Sequence, residues 1–133
     1  MTKRGEEIQR QVLAVLRQSS TPLSAYDLLD HLWDSHPKIA APTVYRALAA
    51  LTGRGSIHRL ESLNAYMACQ CGSHPHDSIL SICGDCGSVG EQVSPDVLEI
   101  LSGLAQASGF TPDRHVIEVH GVCGICTGGA GAA

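Results

Sequence analysis

The 133-residue sequence predicts an α+β chain of two small units: a winged helix-turn-helix, then a small α/β domain with a four-cysteine zinc site. Three observations lead there. Three helical patterns precede two short strand patterns, the helix, helix, helix, β-hairpin order of a winged helix. Two CxxC pairs, Cys83/Cys86 and Cys123/Cys126, enclose a strand–helix–strand pattern in the second half. The charge is also divided. Residues 1–60 carry eight Lys/Arg against five Asp/Glu, and residues 61–133 carry one against eight, within an overall charge of −4. A basic half in an acidic chain points to a nucleic-acid partner met through the first half only.

Each element has a local reason. Ile8, Val12, Val15 and Leu16 recur at helical spacing, predicting a helix over 5–18 that the segment STPL interrupts. Ser24 is suited to cap a second helix, with Asp27 three residues on completing a capping box. That helix is expected to reach about Ser35, with Leu28, Leu29, Leu32 and Trp33 inward, and to end at His36-Pro37. Pro42 suits the first turn of a third helix that runs through TVYRALAALT and stops at Gly53 or Gly55. Ser56–Leu60 and Asn64–Ala68 read as a hairpin with its turn at Ser62-Leu63. The first unit therefore spans residues 1–68.

Residues 69–78, CQCGSHPHDS, form a polar hinge linker rich in His and Cys. The second unit, 79–126, opens with strands Ile79–Ile82 and Ser88–Gln92 on either side of the first CxxC turn. Ser94-Pro95 begins a helix with Val97, Leu98, Leu101 and Leu104 apolar, and Gly109 ends it. His115–Val119 alternates like a strand and leads to the second CxxC turn. The tail 127–133, TGGAGAA, has nothing to pack and is expected to be disordered.

Composition narrows the function classes. Units this small bury little core and often need a metal or a partner chain. No stretch of about 18 apolar residues is present, and the charged start MTKRGEEIQRQ lacks the apolar run of a signal peptide. A cytoplasmic location is expected, where paired cysteines are more often metal ligands than disulfides. Each CxxC turn lets two thiolates converge, and four thiolates in a tetrahedron suit zinc. Disulfides or a redox dithiol are the competing readings, but a redox CxxC opens a helix after a strand, and these pairs sit at strand ends. Four thiolates leave zinc no open position, so this zinc is expected to be structural and the protein not an enzyme. A zinc hydrolase or deaminase would need an open zinc beside a general base, and neither HExxH nor HxE followed by PCxxC occurs.

The third helix is the expected DNA-reading element, because the N-terminal end of such a helix enters the major groove. Thr43 is placed for a phosphate, Tyr45 for a phosphate or a thymine methyl, and Arg46 for guanine O6 and N7. The bland alternative makes Tyr45 and Arg46 solvated surface residues. Lys3, Arg4, Arg10, Arg17 and Arg59 are phosphate contacts or solvated charges.

The segment AAPTVYRALAAL, the hairpin HRLESLNAYMAC and the two CxxC pairs together resemble the ferric uptake regulator superfamily, from about residue 5 to 126. The hairpin ending in Cys69 and the run VIEVHGVCGIC are most similar to its zinc uptake branch. The resemblance implies a homodimer joined through the C-terminal α/β dimerisation domain. When metal-loaded, such a dimer binds a palindromic double-stranded DNA operator and represses transcription, with neither a membrane nor a small-molecule substrate involved. It also implies a second, regulatory zinc on His58, Cys69, His76 and Glu91, giving two zinc ions per chain. These four come from the wing, the linker and the second unit, so a shared metal would restrain the angle between the DNA-reading heads. A thiolate among them favours zinc over iron or manganese. Relatives with a further site make His74, Asp77 and His115 candidates for a third metal, whereas Cys71 has no assigned role and His120 is expected to pack against the quartet. In some relatives an Asp–Arg pair from the second helix joins neighbouring dimers on DNA. Asp30 matches the acid but Trp33 stands in place of the arginine, so this pair is not expected here. A sister sensor of iron, peroxide or another metal remains an alternative, as does a zinc-stabilised interaction adaptor without a DNA role.

Overall fold

The computed structural model describes residues 3–70 and 77–128. The chain divides into two compact units, Met1–His74 and Pro75–Ala133, with the division inside the expected linker.

The first unit begins with α1 (Lys3–Gln18), whose buried residues Ile8, Gln9, Val12 and Leu16 form one helical stripe. Next is α2 (Ala25–Leu32), which carries the expected capping box. Ser24 Oγ accepts from the Asp27 amide at 3.1 Å, and Asp27 Oδ2 accepts from the Ser24 amide at 3.0 Å. The helix ends at Leu32, three residues before the expected end at Ser35, and turns follow to Ser35. The inward reading of its apolar side is right for Leu28 and Leu32, which are fully buried, and wrong for Trp33, which is 50% exposed. Trp33 is the C-cap of the shortened helix, beyond the stripe that Leu28 and Leu32 define.

Helix α3 (Ala41–Gly53) buries Val44, Ala47, Leu48 and Leu51 against α1 and α2. It closes with Gly55 at φ 74°, a left-handed conformation that glycine takes without steric cost. Strands β1 (Ile57–Leu60) and β2 (Ala65–Ala68) pair antiparallel, with Ile57 opposite Ala68 and Leu60 opposite Ala65. Asn64, at φ 48°, makes the tight turn possible. Leu23 and Tyr66 also exchange two backbone hydrogen bonds, of 2.9 and 2.8 Å, an isolated bridge on the side of β2 away from β1 that no sequence period announces. Tyr66 thereby joins the core that α1, α2 and α3 build.

The second unit is a three-stranded sheet in the order β4-β3-β5, formed by β3 (Ile79–Cys83), β4 (Val89–Gln92) and β5 (Ile117–Gly121). Central β3 runs antiparallel to β4 and parallel to β5. The parallel pair requires a crossover, which α4 (Pro95–Ala107) supplies. Ser94 caps α4 through its hydroxyl, and Gly109, at φ 82°, ends it. The last strand begins at Ile117, not at His115 as the alternation suggested. His115 is instead held by side-chain contacts ahead of the strand. Only Leu98 of α4 is buried, while Val97, Ile100, Leu101 and Leu104 form an exposed stripe. No described helix is long and apolar enough to cross a membrane.

Candidate metal centres and nucleic-acid interface

Cys83 is the last residue of β3, so its position is set by the sheet's central strand. The chain then turns tightly, with the Gly87 amide donating to the Cys83 carbonyl at 3.0 Å and Gly87 itself at φ 77°. This turn brings Cys86 back beside Cys83. After β5, Cys123 and Cys126 occupy a second turn, in which the Thr127 amide donates to the Cys123 carbonyl at 3.0 Å. The Gly84 amide donates to the Gly121 carbonyl at 2.9 Å and joins the two turns. The four cysteine sulfurs all lie within 4.8 Å of one another. Cys86 Sγ and Cys123 Sγ are 3.8 Å apart, matching the edge of roughly 3.8 Å in a tetrahedron whose zinc–sulfur bonds are about 2.3 Å. The donor set therefore fits zinc.

The backbone prepares these sulfurs for a cation. The amides of Cys123 and Cys86 each point at Cys83 Sγ from 3.4 Å. These N–H groups lower the Cys83 thiol from its ordinary 9.0 to about 6. The Cys126 amide and side chain likewise lower Cys123. Cys126 moves the other way, to about 12, because its proton is shared with the sulfurs of Cys123, Cys86 and Cys83. The backbone amides thus favour a thiolate at Cys83, and the neighbouring sulfurs favour keeping a proton on Cys126.

A second set of donors lies at the open end of the wing. His58 sits opposite Met67, and Cys69 follows directly on β2, its amide donating to the Ser56 carbonyl at 3.0 Å. Met67 and Cys69 share a sheet face, so His58 and Cys69 are diagonal neighbours. A ring nitrogen of His58 and Cys69 Sγ lie within 4.8 Å. In the second unit, Glu91 is on β4 opposite Leu80, only 9% exposed, and its Oε2 accepts from Ser78 Oγ at 2.6 Å. His76, Cys71 and His74 lie outside the described residues.

Asp77 and His115 do meet. Asp77 Oδ2 accepts from the His115 amide at 2.7 Å and lies 3.3 Å from His115 Nδ1. His115 Nε2 lies 3.0 Å from Ser102 Oγ on α4. Both ring nitrogens therefore have hydrogen-bond partners, an arrangement of a structural clamp. Ser102 and Ser78 were missed in the sequence, because a serine announces no partner until strand register and helix face are known. His120 pairs with Glu118, Nε2 to Oε1 at 3.4 Å.

On α3, Tyr45 and Arg46 are exposed and Thr43 is half-buried. Arg46 Nη2 donates to Thr43 Oγ1 at 3.4 Å. The helix has no side-chain N-cap; Pro42 carries no amide hydrogen and the Thr43 amide donates to the Ala40 carbonyl at 3.0 Å, so the start of the helix offers an anion mainly the positive end of its dipole. An open groove beside it is lined by Arg4, Gln9, Lys38, Thr43 and Arg46, a basic rim suited to phosphates.

Comparison with known proteins places this architecture. The ferric uptake regulator family model matches residues 4–120. The chain belongs to the ferric uptake regulator family. Among its relatives, the zinc uptake regulation protein of Escherichia coli (strain K12) is 41% identical over 128 residues, covering 93% of this chain and 75% of that protein. The ferric uptake regulation protein of Bordetella parapertussis is 31% identical over 121 residues, covering 89% of this chain and 85% of that one. Among solved structures, a zinc uptake regulator complexed with zinc and DNA superposes with a TM-score of 0.86 at 39% identity, covering 91% of this chain and 81% of that one. Holo XcZur superposes at 0.81, also at 39% identity, covering 91% and 84% of the two chains.

Proposed function

We propose that this member of the family is a zinc-responsive transcriptional repressor that binds operators of zinc-uptake genes in the cytoplasm as a metal-loaded homodimer. Support comes from its similarity to the zinc- and DNA-bound regulator. The geometric observation that carries the reading is the meeting of His58 and Cys69 at the base of the wing. A nitrogen–thiolate pair on the DNA-reading unit, separate from the cysteine quartet, is suited to zinc and lets metal act on the wing itself. Glu91, a buried carboxylate, and His76 complete the proposed regulatory set, and the quartet holds the structural zinc. Two ions per chain follow. Arg46, Tyr45 and Thr43 read or position the operator, and the exposed stripe of α4 supplies apolar surface for the dimer.

In this scheme the permanent zinc maintains the second unit, and the regulatory zinc couples metal level to DNA affinity through differential binding to one conformation. The Cys69→Ser variant tests it. One zinc per chain and an intact dimer should remain, while zinc-dependent operator binding disappears in a fluorescence anisotropy titration. A variant that keeps two zinc ions and a normal zinc response would remove Cys69 from the site.

A further inference from the structure

Ser78 and Leu80 lie two residues apart on one strand path, so their side chains share a face. Glu91 is opposite Leu80, which makes Ser78 its diagonal neighbour. The 2.6 Å contact from Ser78 Oγ to Glu91 Oε2 is a short hydrogen bond to a carboxyl group only 9% exposed. Ser78 is itself held from both sides. On one side, Asp77 is clamped by the amide and ring of His115, whose other nitrogen meets Ser102. On the other, Ile79 enters the sheet between Gln92 and Ile117.

We propose that Ser78 is a positioning residue for the regulatory metal: its hydroxyl fixes the orientation in which Glu91 presents its carboxylate. This rests on the assignment of Glu91 as a ligand. Ser78 does not touch the metal. It acts through Glu91, and the Asp77–His115–Ser102 clamp fixes the backbone from which it reaches. Outer partners of this kind change metal affinity by about 10- to 100-fold.

The test uses the full chain with its structural zinc in place and competition for the second zinc against a chromophoric chelator. Wild type is compared with Ser78→Ala, Ser78→Thr, Glu91→Gln and the double variant Ser78→Ala/Glu91→Gln. Ser78→Ala is expected to weaken the second zinc by at least about 10-fold, and Ser78→Thr, which keeps the hydroxyl, to restore it. In the Glu91→Gln background, Ser78→Ala should add nothing, a result that a merely structural role would not produce. The proposal is overturned if Ser78→Ala leaves the affinity unchanged, loses the quartet's zinc as well, or weakens binding equally in both backgrounds. It is also overturned if Ser78→Thr behaves like Ser78→Ala. Wild-type affinity in Glu91→Gln would refute the ligand assignment itself, whereas a weak Glu91→Gln beside an unaffected Ser78→Ala would refute Ser78's role alone.

Discussion

Arg46 is exposed on the first half of α3, and its one short side-chain contact among those described is a 3.4 Å bond to Thr43. A guanidinium held this loosely can turn to a guanine edge, where a bidentate contact discriminates by about 1–3 kcal/mol. Arg46→Ala should therefore weaken operator binding by roughly 10- to 100-fold and leave affinity for random duplex nearly unchanged. Competition electrophoresis checks this, and equal losses on both DNAs would make Arg46 a phosphate contact. At the quartet, Cys83 and Cys126 are pushed in opposite directions. Cys83, lowered to about 6, has already lost its proton at about pH 7.5, while Cys126, raised to about 12, still holds one. Zinc uptake at that pH should release fewer than four protons per quartet. As pH falls through about 6, Cys83 takes its proton back, so the number released rises and zinc binding weakens. Calorimetry in buffers of different ionisation enthalpy measures the release, and four protons at about pH 7.5 would show that Cys83 is not preformed as a thiolate.

At the scale of elements, α4 presents two faces. Leu98 and Ser102 turn toward their own unit, while Ile100 and Leu104 are 64% and 67% exposed. Such a stripe on a small domain marks a protein contact. Ile100→Glu combined with Leu104→Glu should raise the dissociation constant of the proposed dimer at least about 100-fold, since fully burying each such side chain contributes roughly 1.5–3 kcal/mol. Sedimentation velocity would read this as monomer, and an unchanged dimer would move the interface elsewhere. Helix α2 illustrates what sequence can and cannot convey. Its start was legible because Ser24 and Asp27 act within four residues of each other, and a local signal survives in one dimension. Its end was not, because nothing local stops the apolar pattern at Leu32, and Trp33 was assigned to a core that does not extend so far. The Leu23–Tyr66 rung was invisible for a related reason: a single bridge has no period.

Across the whole molecule, the order of elements and both cysteine pairs were legible in the sequence, because helical spacing and CxxC turns are local rules. Asp77 was grouped with His115 only through the family resemblance, since 38 residues separate them, and Ser102, 13 residues from His115, was not legible at all. The joined turns of the quartet also bear on how the chain folds. Strand β5 must return to β3 across the 36 residues between Cys86 and Cys123. For a loop of that length the length-dependent closure cost alone is about 3 kcal/mol, met before any parallel pairing repays it. A zinc ion held by the four thiolates would clasp this loop closed and lower that cost, which would speed folding wherever the clasp forms before the folding barrier. At a fixed chain concentration, refolding with zinc present should be faster than refolding without it, as stopped-flow far-ultraviolet circular dichroism would record. An effect confined to slower unfolding would instead place clasp formation after the folding barrier.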